Sequence, residues 1–181
     1  TLLITGGAGY VGSTMARRFH GEGIRIAVID DLSTGHGAAL PAGIPFYRGD
    51  FADEGLLSAV LADHAVDGVL HCAAKSLVEE SVRRPDLYLR ENFEKPRGMI
   101  RFLAGRGVRR FLLSSTAAVY GEPEVVPIRE DAPLSPTNPY GRSKAALEAF
   151  LDGEEQAGRL VRVSLRYFNA AGASTDGAHG E

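Results

Sequence analysis

Tyr140 and Lys144 are four residues apart, a spacing that places both side chains on one face of a helix. Asn138 favours an N-cap and Pro139 a first helical position, so we predict a helix that begins here and ends near Gly153. A fixed ammonium stabilises the ionised form of a neighbouring phenol, because the charges are opposite. The pair could therefore act as a general base and acid near neutral pH.

The same spacing has a purely structural explanation. Leu147 and Leu151 continue the helical stripe that begins with the tyrosine and the lysine. A core tyrosine beside a lysine whose aliphatic stem packs on apolar neighbours requires no chemistry. Because the pair alone fits both interpretations, the choice between them depends on residues elsewhere in the chain.

Composition and charge argue against several classes of function. The 181 residues carry a net charge of −3 without a basic run, so we expect neither nucleic acid nor a membrane as a partner. Cys72 is the only cysteine, which excludes an internal disulfide and a cysteine-cluster metal site and suits the cytoplasm. No apolar run reaches membrane-spanning length. Since Thr1 begins inside an apparent strand, we expect the chain to be part of a longer protein.

A short apolar run, a glycine-rich turn and a helix open the chain. Residues 1–5 predict a buried parallel strand, and helical character extends from Ser13 to Glu22. Between them lie three glycines at intervals of three residues: Gly6, Gly9 and Gly12. Backbone without side chains would let a pyrophosphate approach the N–H groups at the helix start. A glycine pattern alone is weak evidence, because tight turns use glycine in any case.

The second predicted strand, residues 24–29, ends at Asp30 and Asp31. A carboxylate at this position, about twenty residues past the glycines, accepts hydrogen bonds from an adenosine ribose. It would also repel a 2′-phosphate, which favours NAD over NADP. A solvated aspartate at a strand end is the alternative. The following residues would loop over the ribose: Leu32, Ser33, Thr34 and Gly35.

Four further predicted strands, 46–48, 67–71, 111–113 and 160–168, alternate with predicted helices at 53–62 and 85–106. This alternation predicts an α/β domain with a doubly wound parallel sheet. Asp50 and Phe51 follow the third strand and could flank an adenine, although Asp50 could equally cap the next helix.

Side chains at the ends of the later strands differ in what they predict. His71 ends the fourth predicted strand and Cys72 follows it, and both are interpreted as structural rather than catalytic. Ser114, Ser115 and Thr116 extend the fifth strand, so their hydroxyl groups belong at the edge where such sheets bind ligands.

These motifs stand in an order that is more specific than any one of them. The chain resembles the extended short-chain dehydrogenase/reductase superfamily, and within it the NAD-dependent sugar-nucleotide epimerases of the UDP-glucose 4-epimerase family. The resemblance implies a Rossmann-type NAD-binding domain at residues 1–168. It also implies that residues 169–181 begin a substrate-binding region that is largely absent from this chain.

The resemblance implies a role for each motif. Tyr140 would be the catalytic acid and base, Lys144 would lower its pKa and hold the nicotinamide ribose, and Thr116 would bind the reacting sugar hydroxyl. The implied contacts to NAD are Gly6, Gly9, Tyr10, Val11, Gly12, Asp30, Asp31, Leu32, Ser33, Thr34, Gly35, Asp50, Phe51, Cys72, Ala73, Ala74, Lys75, Asn92, Ser114, Tyr140, Lys144 and Tyr167. The implied contacts to a UDP-sugar are Lys75, Thr116, Tyr140, Phe168 and Asn169.

The reaction implied is 4-epimerisation of a UDP-sugar, of the UDP-glucose and UDP-galactose type, through a transient 4-keto sugar. Related dehydratases and decarboxylases carry an acidic residue just after the strand hydroxyl, whereas Thr116 is followed here by Ala117 and Ala118. UDP-glucuronate and UDP-N-acetylhexosamines remain open as substrates, and so does a non-catalytic NAD-binding regulator of the same fold. A homodimer through the 85–106 helix and the Tyr140 helix is also implied.

Overall fold

The computed structural model describes residues 1–174, 177 and 180. Within them six parallel strands alternate with helices. The strands are Leu2–Thr5 (β1), Ile26–Asp30 (β2), Phe46–Arg48 (β3), Gly68–His71 (β4), Arg110–Thr116 (β5) and Val161–Tyr167 (β6). The α-helices are Tyr10–Gly21 (α1), Glu54–Asp63 (α2), Val78–Arg83 (α3), Pro85–Leu89 (α4), Lys95–Ala104 (α5) and Pro139–Gln156 (α6). A π-helical turn at Arg90–Glu94 joins α4 to α5, and short 3₁₀ turns occur at Gly37–Ala39 and Ala117–Tyr120.

The sheet has the strand order β3-β2-β1-β4-β5-β6, which confirms the predicted doubly wound α/β fold. Successive side chains of β1 point to opposite faces, so Leu3 packs in the larger apolar core and Ile4 in the smaller one. Both are fully buried because helices cover both faces of a parallel sheet. The strand order reverses between β1 and β4, and ligands of such sheets bind beside that point, beyond the carboxyl ends of the strands.

Most predicted elements are present, with shifted ends. α1 begins at Tyr10 rather than Ser13, with Gly9 as its N-cap. α6 begins at Pro139 as predicted but continues past Gly153 to Gln156. An interior glycine costs only about 1 kcal/mol, and Glu154 in the next turn is held by two hydrogen bonds from Arg159. The prediction that α6 ends near Gly153 is therefore wrong.

The predicted single helix at 85–106 is interrupted and shorter. The π-helical turn separates α4 from α5 with no loop between the three segments, and α5 ends at Ala104. Pro96 has no N–H to donate to the carbonyl four residues earlier, which is that of Asn92. The regular helical ladder is lost in the turn before this proline, and α3, which sequence reasoning missed, precedes the interrupted helix.

Asp53, not Asp50, caps α2. Its carboxylate accepts hydrogen bonds from the backbone N–H groups of Gly55 at 2.8 Å and Leu56 at 3.1 Å. The alternative role for Asp50 as a cap is therefore wrong. In the part of the chain that the structure describes, no helix has the length and apolar character needed to cross a membrane.

Candidate active site

A cavity of about 870 Å³ lies at the carboxyl edge of the sheet, beside the reversal in strand order. It collects residues that are as far apart in the chain as Gly6 and Asn169. The predicted site residues that line it are Gly6, Gly9, Tyr10, Val11, Gly12, Asp30, Asp31, Ser33, Thr34, Asp50, Phe51, Cys72, Ala73, Ala74, Lys75, Ser114, Thr116, Tyr140, Lys144, Tyr167, Phe168 and Asn169. Three predicted residues, Leu32, Gly35 and Asn92, are not part of the lining.

The three glycines of the first turn have different reasons to be glycine. Gly6 has a φ of +71°, and a Cβ there would lie 2.5 Å from the Cα of Ala73. A Cβ on Gly12 would lie 2.7 Å from the Cα of Gly7, which is also too close. A Cβ on Gly9 would meet only the Gly6 carbonyl oxygen, at an ordinary 3.5 Å. Packing therefore does not require a glycine at position 9, which is one of the residues that line the cavity.

Asp30 holds the turn and the following loop together. One carboxylate oxygen accepts the Ala8 N–H at 2.9 Å, and the other accepts the Leu32 N–H at 2.8 Å. Leu32 adopts a φ of 61°, which is unusual for a residue with a side chain. Gly35 packs against Ala8, where a Cβ would lie 2.7 Å from the carbonyl carbon. Leu32 and Gly35 therefore shape the loop without lining the cavity.

Asp50 and Phe51, which follow β3, also line the cavity. Burial would raise the pKa of Asp50, but hydrogen bonds from Lys95 and from the Ala52 N–H outweigh it and lower the pKa. Lys95 Nζ lies 2.7 Å from both Asp50 Oδ2 and Glu91 Oε2. Sequence reasoning missed this bridge, although the four-residue spacing of Glu91 and Lys95 was a visible signal.

His71 and Cys72 carry no charge at neutral pH. Burial and, to a smaller extent, the Lys144 charge lower the pKa of His71 to about 3, and its Nδ1 lies 2.7 Å from Thr5 Oγ1. Burial raises the pKa of the Cys72 thiol to about 12. A neutral, hydrogen-bonded histidine and an unionised thiol fit the structural roles that the sequence indicated.

Asn92 supports the cavity lining without being part of it. It is 1% exposed, lies in the π-helical turn, and accepts the Lys75 N–H at 2.8 Å while its amide donates to the Lys75 carbonyl at 2.9 Å. The same amide group lies 3.2 Å from Ser143 Oγ. Asn92 thus fixes the backbone of a lining segment and does not itself border the cavity, contrary to the prediction.

The Tyr140 helix begins as predicted, with the Asn138 side chain accepting the Gly141 N–H at 2.8 Å. Lys144 is 1% exposed, and its Nζ donates to the Ser114 carbonyl at 2.8 Å. Burial lowers the pKa of Lys144 to about 8, against the opposing influence of Cys72 and Glu148.

The pKa of Tyr140 does not follow the prediction. Burial of the phenol raises it, a hydrogen bond with Thr116 opposes the rise, and the pKa stays above its ordinary value. Lys144 donates to the fifth strand rather than to the phenol, so the expected lowering by the ammonium is wrong in this structure. Thr116 Oγ1 also accepts the Ala118 N–H at 3.1 Å, which fixes the hydroxyl beside Tyr140.

A sequence model described as the NAD dependent epimerase/dehydratase family matches residues 2–181. The chain belongs to that family. It is 49% identical over 173 residues to a UDP-glucose 4-epimerase of Streptomyces lividans, a match that covers 95% of this chain and 53% of the relative. The chain thus spans about half the length of the curated relatives that it matches.

Solved structures of the family superpose closely. A UDP-glucose 4-epimerase from Brucella ovis in complex with NAD gives a TM-score of 0.95 at 38% identity, covering 99% of this chain and 55% of that one. A UDP-Glc/GlcNAc 4-epimerase from Campylobacter jejuni gives a TM-score of 0.88 at 38% identity, covering 97% and 55%. Members of the family that are named for different substrates therefore share this fold.

The arrangement in this family member can do two kinds of work. The glycine turn, the N-terminus of α1 and Asp30 suit the anionic and hydroxyl groups of a dinucleotide. At the opposite side of the cavity, Thr116 and Tyr140 can pass a proton to and from a hydroxyl group. Among the described residues, no group of three or more His, Cys, Asp or Glu side chains is placed to hold a metal ion.

Proposed function

We propose that this chain is the NAD-binding part of an enzyme that interconverts the C4 epimers of a UDP-sugar, of the UDP-glucose and UDP-galactose type, through a transient 4-keto sugar. One observation carries the proposal. The Thr116 hydroxyl acts on the pKa of Tyr140 in the cavity that the glycine turn also lines, and the two residues after Thr116 are alanines. A proton can be exchanged at one sugar hydroxyl, whereas an elimination would need a further acid or base at that strand end.

The residues present fit NAD as the bound cofactor. Gly9 lines the cavity although packing does not require a glycine there, and Asp30, whose carboxylate is fixed by two hydrogen bonds, lines it too. NAD, when bound, supplies the reversible acceptance of hydride from the sugar. Asp30 would hold the adenosine ribose and disfavour a 2′-phosphate, while Asp50 and Phe51 would flank the adenine.

Tyr140 is the proposed acid and base at the sugar O4. In the oxidising direction its phenolate oxygen takes the O4 proton, and in the return direction its phenol gives the proton back. Thr116 orients the hydroxyl through its own Oγ1, which the Ala118 N–H holds in place. Lys144 lines the same wall, where its charged amine would hold the nicotinamide ribose, and it does not lower the Tyr140 pKa.

We assign the sugar side of the cavity to Lys75, Phe168 and Asn169, and place the end of the NAD-binding domain at residue 168, just past the end of β6. The substrate range of relatives supports the UDP-sugar class. A Bifidobacterium longum epimerase has been solved with NAD⁺ and UDP, and the Campylobacter jejuni relative is described for both glucose and N-acetylglucosamine forms. The test therefore includes more than one sugar.

The experiment gives the full-length protein UDP-galactose without added cofactor and follows UDP-glucose by chromatography. Conversion is expected, as is NAD release on denaturation. Tyr140→Phe should lose turnover by about a thousandfold while its NAD content stays unchanged, because only the proton-transfer group is removed. Tyr47→Phe is the matched control, since Tyr47 bonds Asp63 outside the cavity lining.

The outcomes separate the candidates. A fully active Tyr140→Phe would refute the assigned mechanism. Conversion of UDP-N-acetylglucosamine or UDP-glucuronate, but not UDP-galactose, would keep the chemistry and change the substrate. Retained NAD without turnover of any of these sugars would favour a non-catalytic NAD-binding regulator.

We further propose a cytoplasmic homodimer that associates through the helical segment 85–106 and α6, as the resemblance implies, and that extends to the neighbouring α3. Supporting it are apolar side chains exposed on α3, on α4 and in the turn before α3: Leu77, Val78, Val82 and Leu89. Light scattering after gel filtration should give twice the protomer mass, and Val82→Glu should reduce it toward the protomer. A protomer mass for the unaltered protein would contradict the dimer.

A further inference from the structure

Glu148 and Arg166 form an ion pair that the proposed mechanism does not use. The Glu148 side chain is 1% exposed, and its Oε2 lies 2.7 Å from Arg166 Nη2 and 3.1 Å from Nε. This hydrogen bonding raises the pKa of the Arg166 guanidinium. Moving two charges out of water costs several kcal/mol for each ion, so a buried pair is weak evidence for a role in stability. Its position in the fold suggests another role.

The Glu148 carboxylate anchors the end of β5. Ser115 Oγ donates a hydrogen bond to Glu148 Oε1. Neighbouring strand residues point to opposite faces, so anchoring Ser115 sets the direction of Ser114 and Thr116 on either side. Lys144 donates to the carbonyl of Ser114, and the Thr116 hydroxyl acts on the pKa of the Tyr140 phenol. The anchor therefore controls how β5 presents both partners of the proposed catalytic residues.

Arg166 extends the pair to the segment between β5 and α6. Its Nη1 donates to Tyr120 Oη at 2.7 Å and to the Glu130 carbonyl at 3.0 Å. The guanidinium carbon lies 4.9 Å from the centroid of the Tyr120 ring. The next residue, Tyr167, lines the cavity. The pair thus joins β5, β6, α6 and the chain that leads into the Tyr140 helix.

The negative charge of Glu148 also favours the protonated form of Lys144 and so raises its pKa. It stands one helical turn after Lys144, on the same face of α6. The other titratable groups that act on or border this lysine are His71 and Cys72 at the end of β4 and Tyr140 on α6. The pKa of His71 is about 3, that of Cys72 is about 12 and that of Tyr140 is above its ordinary value, so all three are neutral near pH 7. Among these described groups, Glu148 is the anion beside the buried ammonium.

We propose that Glu148 and Arg166 are positioning residues of the catalytic centre: the pair holds the β5 end at Ser115, and the Glu148 carboxylate stabilises the ammonium of Lys144 one helical turn away. The kinetic part of this inference rests on the proposed epimerase function. The ionisation of Lys144 does not, because it can be measured without turnover.

The experiment titrates Lys144 by carbon NMR in the full-length protein grown with lysine labelled at Cε. Lys144→Arg identifies the signal, and the other lysines of this chain are Lys75 and Lys95. Glu148→Gln should lower the Lys144 midpoint by about one pH unit or more, as expected when an opposite charge is removed from close range. Glu154→Gln should leave it unchanged; Glu154 is on the same helix and paired with Arg159, so it is a matched control.

Kinetics test the two halves of the inference separately. Glu148→Gln should lose about tenfold in kcat at pH 8, with KM within about threefold, and its activity should decline at a lower pH than that of the unaltered enzyme. Ser115→Ala removes the strand anchor but keeps the charge, so kcat should fall while the Lys144 midpoint stays in place. An unchanged kcat in Ser115→Ala would refute the anchoring role.

A Glu148→Gln midpoint that moves no further than that of Glu154→Gln would refute the charge role. Glu148→Gln leaves the partly buried Arg166 charge without its carboxylate partner, so this is the variant whose folding is most at risk. The double variant Glu148→Gln with Arg166→Gln removes both charges and should shift Lys144 in the same direction by a smaller amount. An unchanged midpoint in that variant would equally refute the charge role. If the unaltered protein converts no UDP-sugar, the proposed function fails, but the NMR titration still tests whether Glu148 affects the ionisation of Lys144.

Discussion

Gly9→Ala should separate cofactor binding from folding. Gly9 has a φ of −74° and a ψ of 171°, which alanine adopts without strain. Its Cβ would make one ordinary contact, 3.5 Å from the Gly6 carbonyl oxygen. Alanine is a poorer N-cap than glycine by up to about 1 kcal/mol, and it lowers the entropy of the unfolded chain by a similar free energy, about 0.4–1 kcal/mol. The two effects oppose each other, so the free energy of unfolding should stay within about 1 kcal/mol.

NAD binding should respond much more strongly. The Cβ added by Gly9→Ala would occupy the space through which a pyrophosphate approaches the backbone of the turn. We expect NAD to bind about 100-fold more weakly, equivalent to about 2.7 kcal/mol. Calorimetric titration of the stripped full-length protein with NAD measures the affinity, and urea unfolding followed by circular dichroism measures the stability.

Two other glycines provide controls. A Cβ on Gly12 would lie 2.7 Å from the Cα of Gly7, so Gly12→Ala should cost about 3 kcal/mol or more in stability. Gly98 lies in α5 with no atom within 4 Å of its Cβ position, so Gly98→Ala should gain up to about 1 kcal/mol and bind NAD normally. A Gly9→Ala protein whose NAD affinity stays within threefold would refute the placing of the phosphates, and one as unstable as Gly12→Ala would refute the steric argument.

Four further predictions rest on named contacts and on the pKa of Lys144. Asp30→Asn should weaken NAD binding about tenfold and reduce the preference for NAD over NADP, because the carboxylate charge is removed while one acceptor for the loop remains. The same calorimetric titration measures both affinities. An unchanged NAD affinity would mean that the ribose lies elsewhere. Turnover should decline as the pH rises through about 8, where Lys144 loses its proton, and a rate that still increased from pH 8 to 9.5 would contradict this. Since the unfolded chain keeps that proton up to about pH 10.5, the stability of the protein relative to Lys144→Met should rise by about 3 kcal/mol between pH 8 and 10.5. Asp53→Ala should lose about 1 kcal/mol of unfolding free energy through loss of the α2 cap, and a loss below about 0.3 kcal/mol would contradict the capping role.

Local signals predicted much of the fold. The strand, glycine turn and helix at the start of the chain lie in adjacent residues, and so do Asn138 and Pro139 at the start of α6. The position of the π-helical turn could not be predicted, because it depends on Pro96 and on the bonds that Asn92 makes to Lys75, 17 residues earlier. Element ends were less certain for the same reason. Gly153 does not end α6, because the helix continues into the turn that Glu154 and Arg159 stabilise.

The candidate site could also be predicted only in part. Motifs placed most of the lining residues, because each follows a strand whose end faces one edge of the sheet. The state of each side chain was not predictable from spacing. Tyr140 and Lys144 share a helical face as expected, yet Lys144 reaches the Ser114 carbonyl, 30 residues away in the chain, and burial governs both pKa values. The partners Glu148 and Arg166 are 18 residues apart and gave no local signal.

The strand order also determines when the cavity can exist during synthesis. β1 is made before β4, yet it pairs with β4 from Leu2 opposite Gly68. At about 5–20 residues per second, roughly 3 to 13 s pass between the synthesis of these two partners. The cavity needs still more of the chain, because Tyr167 and Asn169 belong to its wall. A nascent chain therefore carries the apolar β1 with one side unpaired for seconds, and the cavity wall is complete only after β6 and the residues that follow it have been made.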